Sequence, residues 1–368
     1  MKIALVVPGG VDRSGTDRVI PVLLWLIERL VRAGDEVHVF ALRQEPSPAQ
    51  WKLLGAAVHN AGKRPRRLRT LASLMREHRR SRFDVVHAFW AGAPAQAAAL
   101  FGRLGNVPLV ITLAGGDLAG LPDVSYGAQL TRRGRIAISA ALSRASAIIA
   151  PSEWLAAQAG AQGWPTITIP FGVALDRWPP AAPRPRTGGA PVRLIHVASL
   201  NRVKDQTGLL DALRLLAEKR IEFRLEIFGE DTLNGAIQRH CSALGLDQLV
   251  KFHGFLPNAE LRARFDDADL LVMNSRHEAA CMVMLEAAAA GVPTAGTGVG
   301  YIADWAPEAA VAVPIGDLPG LASAIAQLAS DETERLRLAR AAHARATTYE
   351  ADKHARDIRR IYADVAVR

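Results

Sequence analysis

The sequence predicts an α/β fold of two doubly wound, parallel-sheet domains, and three observations carry that prediction. Short continuous apolar runs, of the kind buried on both faces of a parallel sheet, alternate with helical stretches along the chain. Two of these runs open the same strand, loop and helix unit. Residues 2–7 lead into Pro8-Gly9-Gly10 and a helix over about 17–33 closed by Gly34, and residues 192–198 lead into a polar loop and a helix ending near Glu218. Between them, residues 178–191 contain Pro179, Pro180, Pro183, Pro185, Gly188, Gly189 and Pro191, the clearest linker in the chain. A length of 368 residues exceeds one hydrophobic core, so the domains are assigned as 1–175, a linker at 176–191, 192–347, and a final helical segment at 348–368.

Composition narrows the class. Hydrophobic residues make up 49% and charged residues 22%, ordinary for a soluble globular enzyme. Cys241 and Cys281 are far apart and form neither a disulfide framework nor a metal spacing, which fits a reducing compartment. The apolar run at the start is too short for a signal peptide, and no apolar segment reaches the length of a membrane span, so a cytoplasmic protein is expected. Net charge is +9, concentrated at 63–82, where Lys63, Arg64, Arg66, Arg67, Arg69, Arg76, Arg79, Arg80 and Arg82 face a single Glu77. Such a stretch suits either a solvated helix face or an anionic membrane surface at the inner leaflet. Nucleic acid is not expected, because no aromatic interleaving or nucleic-acid motif accompanies the charge.

Taken in order, Gly9, Gly10 and Gly15 follow the first strand and permit positive φ and close backbone approach to an acidic group or a simple tight turn. They do not make G-x-G-x-x-G, which counts against a dinucleotide-dependent dehydrogenase or epimerase. Residues 83–90 form a strand carrying His87, either a functional acid, base or acceptor ligand or a hydrogen-bonded strand-end residue. Residues 108–113 form another strand, leading to Ala114-Gly115-Gly116-Asp117. Asp267-Ala268-Asp269 satisfies D-x-D formally but sits where a helix ends before a buried strand, so no metal is expected.

The most informative stretch is 275–293. An apolar strand, Leu270-Leu271-Val272-Met273, ends at a loop carrying Glu278, and a helix over 282–290 carries Glu286 and stops at Gly291. A helix amino end after a strand offers unpaired N–H groups and a positive dipole end, suited to a diphosphate. Eight residues of helix return nearly to one face, so both acids can address one ligand, Glu286 accepting from vicinal hydroxyls such as a ribose. On spacing alone the pair equally fits an amphipathic helix with two solvated Glu.

This stretch resembles the E-x7-E motif of glycosyltransferase family 4, retaining sugar-nucleotide transferases of the GT-B fold, with Glu278 and Glu286 in the acidic positions and Glu278-Ala279-Ala280-Cys281 in place of the usual E-G-F-G. The resemblance covers nearly the whole chain and is strongest over 192–300. It implies a nucleoside-diphosphate-sugar donor, a glycan, lipid-linked or small-molecule acceptor, retention of anomeric configuration, and no metal or cofactor. It places Glu278 beside the donor sugar, Glu286 on the ribose, and Ala280, Cys281 and Met282 on the diphosphate. It puts the glycine loop over the pyrophosphate, Gly229 and Phe255 on the donor side, and His87, Gly115 and Asp117 on the acceptor or sugar side. Lys204 matches the family's diphosphate Lys, while Ser199 stands where the family has Arg, with Arg202 as its substitute. Ala114 replaces a sugar-contacting His, and Tyr301 replaces the second Gly of a loop. These three departures keep open an alternative, a nucleotide-sugar-binding protein of weak activity on the same scaffold. The resemblance also takes the last helix back to the first domain.

Overall fold

The computed structural model describes residues 1–186 and 189–367. The linker's Gly188 and the last residue of the 348–368 segment lie outside the described residues. The chain divides into two units, residues 1–172 with 351–368 and residues 173–350.

The first unit alternates β1 (Lys2–Val7), α1 (Pro21–Arg32), β2 (Glu36–Ala41), β3 (Ala49–Leu53), β4 (Ala56–Asn60), α2 (Arg66–Arg80), β5 (Val85–Phe89), α3 (Ala93–Gly105), β6 (Leu109–Thr112), α4 (Arg132–Leu142), β7 (Ala147–Ala150), α5 (Glu153–Ala161) and β8 (Ile167–Thr168). Its sheet runs β3-β4-β2-β1-β5-β6-β7-β8, parallel except for β3, which pairs antiparallel with β4. Strands β1 and β5 are buried at every position, as sequences apolar apart from Lys2 and His87 favour. Helix α1 begins at Pro21 rather than near Asp17. The preceding residues form turns on Asp12 and Ser14, whose side chains accept from the amides of Ser14, Thr16 and Asp17, and Pro21 is preorganised for a first helical turn.

The second unit contains β9 (Val192–Val197), α6 (Gln206–Glu218), β10 (Phe223–Phe228), α7 (Ala236–Ala243), β11 (Val250–Gly254), α8 (Asn258–Phe265), β12 (Leu270–Met273), α9 (Met282–Ala289), β13 (Thr294–Thr297), α10 (Tyr301–Trp305), β14 (Val311–Val313), α11 (Leu318–Ser330) and α12 (Glu332–Ala346). Its six strands run β11-β10-β9-β12-β13-β14, and every pairing is parallel. The order reverses at β9 and β12, and in such sheets ligands sit beyond the strand C-termini at the reversal.

The proline-rich stretch does not hang free. Trp178 is fully buried and donates through Nε1 to the Glu286 carbonyl at 2.8 Å, with its ring edge-on to Phe265. The Ala181 amide donates to the Ala289 carbonyl (2.9 Å), and Arg186 donates to the Ala329 carbonyl (2.6 Å). These residues form a belt on the second unit, because prolines that cannot join a ladder still leave carbonyls, aromatic rings and Arg forks for packing.

The last helix, α13 (Ala351–Ala366), belongs to the first unit. It buries His354, Ala355, Ile358, Tyr362 and Val365 at helical spacing. His354 Nδ1 lies 2.9 Å from the Pro170 carbonyl, and Arg359 pairs with the buried Asp35 at 2.7 Å. The Tyr362 hydroxyl meets His87 Nδ1 at 2.6 Å, and His87 Nε2 meets Thr112 Oγ1 at 2.7 Å. His87 is fully buried, and burial pushes its pKa down to about 3. Both ring nitrogens are therefore occupied inside the core, and His87 is a structural residue rather than a group presented to an acceptor. Tyr362→Phe would leave one of them unpaired, and a loss of about 1–3 kcal/mol of unfolding free energy is expected in denaturant titration. Unchanged stability would show that the pair contributes nothing.

Among the described residues, no helix is long and apolar enough to cross a membrane, and no three His, Cys, Asp or Glu side chains are grouped to hold a metal. The D-x-D acid Asp269 is buried and accepts from the Arg193 backbone (2.9 Å) and from its guanidinium (3.0 Å). It clamps the start of β9.

Candidate active site

At the C-terminal ends of β9 and β12, two loops bring Lys204 and Glu278 together. The first loop runs from Ser199 to Asp205. Asn201 accepts from the Lys204 amide, and Asp205, at φ 49°, caps α6 by accepting from the Gly208 amide at 3.2 Å. Asn274, just past β12, donates to the Asp205 carbonyl (3.1 Å) and fits only because Gly208 has no side chain: a Cβ there would stand 2.6 Å from Asn274 Nδ2. The Arg276 amide donates to the Val203 carbonyl at 2.7 Å, closing the two loops on each other.

Lys204 Nζ then reaches Glu278 Oε1 at 2.5 Å, and Ser275 Oγ donates to the same oxygen at 2.7 Å. Both partners of the ion pair are largely sheltered, with side chains 22% and 11% exposed, so the attraction is screened less than on an open surface. Ser199 and Arg202 are exposed, and Arg202 makes no ion pair among the described residues. It remains a cation available to a ligand.

Glu278 is not on the helix. Cys281 takes φ 73°, ψ 67°, and α9 begins only at Met282, so the helical-face argument for Glu278 and Glu286 does not apply. Burial first, and then Glu278, hold the Cys281 thiol well above its usual pKa. No side chain caps the amino end of α9. A left-handed conformation suits glycine and strains a residue with a Cβ. Cys281 occupies the last glycine position of the family motif, which explains that glycine physically. Because Cys281 is buried, the strain is read against Cys281→Ala, which also loses the thiol but keeps a Cβ at the left-handed position; Cys281→Gly is expected to be more stable than Cys281→Ala by about 1 kcal/mol. A lower melting temperature for the Gly variant than for the Ala variant would refute the strain.

Glu286 lies in the second turn of α9, 6% exposed, with Oε1 accepting from Asn258 Nδ2 at 2.8 Å. Burial pushes its pKa up to about 7, and the Asn258 hydrogen bond only partly offsets this. Ala279 and Ala280, in the loop before α9, are buried. The Ala280 carbonyl accepts from the Tyr301 amide at 2.8 Å, and a Cβ on Gly300 would lie 2.7 Å from that oxygen. Tyr301, in place of the family loop's second Gly, is 1% exposed and turns its ring inward against Trp305 and Tyr349. Gly229, at φ 150°, lets β10 pass the β9 end, since a Cβ would stand 1.9 Å from the Ala198 carbonyl. Phe255 is 55% exposed, an open aromatic face after β11.

In the first unit the glycine loop is occupied internally. Gln44 Oε1 accepts from the amides of Gly10 (2.6 Å) and Val11 (3.0 Å), and the Gly15 amide donates to the Asp12 carbonyl at 3.1 Å. Asn60 fixes Gln44 in turn by accepting from its amide at 2.9 Å. Gly9 is buried, with Gln44 beside it. The loop therefore offers close approach, whereas the amides of Gly10 and Gly15 are spent. Asp117 is likewise committed. It accepts from the amides of Ala91 (3.0 Å) and Ala114 (3.1 Å), tying the β5 and β6 ends, and burial raises its pKa to about 6. Gly115 sits under Trp90, where a Cβ would lie 2.8 Å from Nε1. Sequence reasoning missed Ser275, Asn258, Gln44 and Asn60. Ser275 was legible as a hydroxyl three residues before Glu278; the other three act across long sequence separations.

Comparison with known proteins gives the same class of molecule. The model described as "Glycosyl transferases group 1" matches residues 185–345, and that described as "Glycosyl transferase 4-like domain" matches residues 19–172. The glycogen synthase of Mycobacterium tuberculosis is 31% identical over 329 residues, 87% of this chain and 76% of that protein. The D-inositol 3-phosphate glycosyltransferase of an Arthrobacter species is 28% identical, over 80% of this chain and 76% of that one. Among solved structures, the sucrose-phosphate synthase of Thermosynechococcus elongatus superposes with a TM-score of 0.86 at 18% identity, covering 99% of this chain and 98% of that one. Anabaena HepE in complex with UDP-glucose gives 0.76 at 18% identity, covering 99% and 100%. The protein is a glycosyltransferase of the GT-B fold. It belongs to the group 1, family 4-type glycosyltransferases, which sets aside the dehydrogenase reading and favours an active transferase over a weak binding protein.

Proposed function

We propose that this glycosyltransferase moves a hexose from a nucleoside-diphosphate sugar to a glycan, lipid-linked or small-molecule acceptor with retention of configuration, using the loops that carry Lys204 and Glu278. The observation that carries the assignment is the Lys204–Glu278–Ser275 cluster beside an uncapped helix amino end, with the buried Glu286 one turn behind. The diphosphate lies against Lys204, Arg202 and the amino end of α9, where cations and oriented amides meet the charge that grows as the sugar–phosphate bond breaks. Glu286 accepts from the ribose hydroxyls, and Glu278, oriented by Ser275, faces the sugar. The acceptor oxygen attacks C1 on the face the diphosphate leaves. The C1–O(phosphate) bond breaks as the new C1–O bond forms, and the departing phosphate takes the acceptor proton. Lys204 and Arg202 supply the neutralising charge, so this route needs no metal. Ser199, Gly229 and Phe255 border the nucleotide side by their positions at the strand ends.

The Anabaena HepE structures contain UDP and UDP-glucose, which makes UDP-glucose the first donor to try. Transfer giving an α-linked product from an α-linked donor supports the reading; a product of inverted configuration would exclude it. The basic 63–82 region supports a second placement, at an anionic membrane surface, because Leu68 is 66% exposed among its cations. Co-sedimentation with phosphatidylglycerol vesicles, lost on Leu68→Ser, is the expected result.

A further inference from the structure

The first unit carries a second polar recess that the donor chemistry leaves unused. It is a groove of about 470 Å³ between the β3–β4 hairpin and α2, lined by Gln50, His59, Arg69, Ser73 and Arg76 among others. Arg69, Ser73 and Arg76 fall at helical spacing i, i+4 and i+7, on one face of α2. Arg76 Nη2 donates to Ser73 Oγ at 3.2 Å, which holds its guanidinium along that face. Arg69 donates only to the carbonyls of Ala61 and Lys63 and has no acidic partner among the described residues. His59 closes the floor, 8% exposed, with Nε2 3.0 Å from His38 Nδ1 and Nδ1 3.2 Å from Gln50 Nε2.

The charge arrangement is one that an isolated fold avoids. The first turn of α2 holds Arg66, Arg67 and Arg69 with no acid, and its N-cap, Pro65, supplies no side-chain hydrogen bond. Cations at the positive end of a helix repel the dipole, and the remedy is an anion. The helix's single acid, Glu77, is buried and pairs with Arg80 at 3.1 Å and with Arg76 Nε at 3.5 Å, leaving Arg69 with no acidic partner among the described residues. The groove is also wired to the glycine loop. Its wall residue Asn60 fixes Gln44, and Gln44 Oε1 holds the Gly10 and Val11 amides.

We propose that this groove is an anion site that takes a phosphate monoester carried by the acceptor, with Arg69 and Arg76 as the paired forks and Ser73 and Gln50 as neutral donors. The proposal rests on the glycosyltransferase reading for the word acceptor, and its test is independent of turnover. Calorimetric titration with glucose 6-phosphate, against glucose as the neutral control, is expected to show saturable binding that weakens with salt. Arg69→Ala or Arg76→Ala each reduces that affinity by about tenfold, whereas Arg133→Ala on α4 leaves it unchanged. Both groove arginines lie on a solvent-facing helix surface, and unchanged melting temperatures confirm that the variants fold. Vesicles containing phosphatidic acid, whose headgroup is a phosphate monoester, that compete through the same two arginines would assign the phosphate to a lipid headgroup and sustain the proposal, whereas equal competition by phosphatidylglycerol, a phosphodiester, would overturn it. Equal responses to glucose and glucose 6-phosphate, or glucose 6-phosphate binding that survives the double Arg69/Arg76 change, would overturn it. UDP titrated into the same variants keeps the two ideas apart: UDP binding with no phosphate binding sinks the groove alone, and the reverse sinks the donor site alone.

Discussion

Lys204→Ala lowers kcat for sugar transfer by about 10²–10³-fold while leaving donor affinity within a fewfold of the parent. The split follows from the geometry. In the proposed donor complex the ground-state diphosphate charge is shared with the amino end of α9 and Arg202; Nζ itself is shared with Glu278 at 2.5 Å. As the sugar–phosphate bond breaks, charge builds on the leaving oxygen, and only a cation already fixed in place stabilises it at no cost of reorganisation. Ser275 still donates to Glu278 after the change. Lys204→Arg keeps the charge and recovers part of the rate. A kcat unaltered by Lys204→Ala in steady-state assays with UDP-glucose would remove Lys204 from the chemistry.

Glu286 has the second large effect, and it has two faces. Glu286→Gln weakens donor binding by about 10–100-fold, because a carboxylate accepting from two hydroxyls makes charge-assisted bonds that an amide does not. The same change stabilises the apo protein in one pH range. In the unfolded chain the carboxyl has its ordinary value of 4.5; in the fold burial lifts it to about 7. Below about 4.5 the acid is neutral in both states and burial exacts no electrostatic penalty. Between the two values the unfolded chain ionises while the fold resists, so stability falls as pH rises, and above about 7 the penalty is complete, on the order of 3 kcal/mol. Glu286→Gln is therefore expected to melt higher than the parent at about pH 8 and together with it at about pH 4. Donor affinity in the parent drops as pH falls below about 7, where the acid takes up its proton. Parallel melting curves at both pH values would mean that Glu286 is solvated, and donor affinity unmoved by the change would take it off the ribose.

Much of this was legible before any coordinates. Apolar runs such as 2–7 and 270–273 specify parallel strands because both faces of such strands are covered, and the loops after 197 and 273 were recognisable as polar breaks. Cys281 shows the limit. A helix pattern read over 282–290 carries no mark of a left-handed residue just before it at 281, which depends on how the loop packs under Gly300. His87 misled because a polar residue at a strand end looks solvent-facing until a helix 275 residues away supplies Tyr362. The belt at 178–186 misled for a related reason: proline forbids ladder pairing, and nothing local records that Trp178 finds a slot beneath α9.

The return of α13 to the first unit bears on how the protein is born. Residues 173–350 leave the ribosome before the segment that carries His354, Arg359 and Tyr362, so the second half of the polypeptide is complete while the first still lacks a wall of its interior. Until that wall arrives, Asp35 has no guanidinium partner and His87 has only Thr112. The earlier-synthesised half should thus mature last, and nascent chains stalled near residue 350 should yield to protease throughout 1–172 while 173–350 resists.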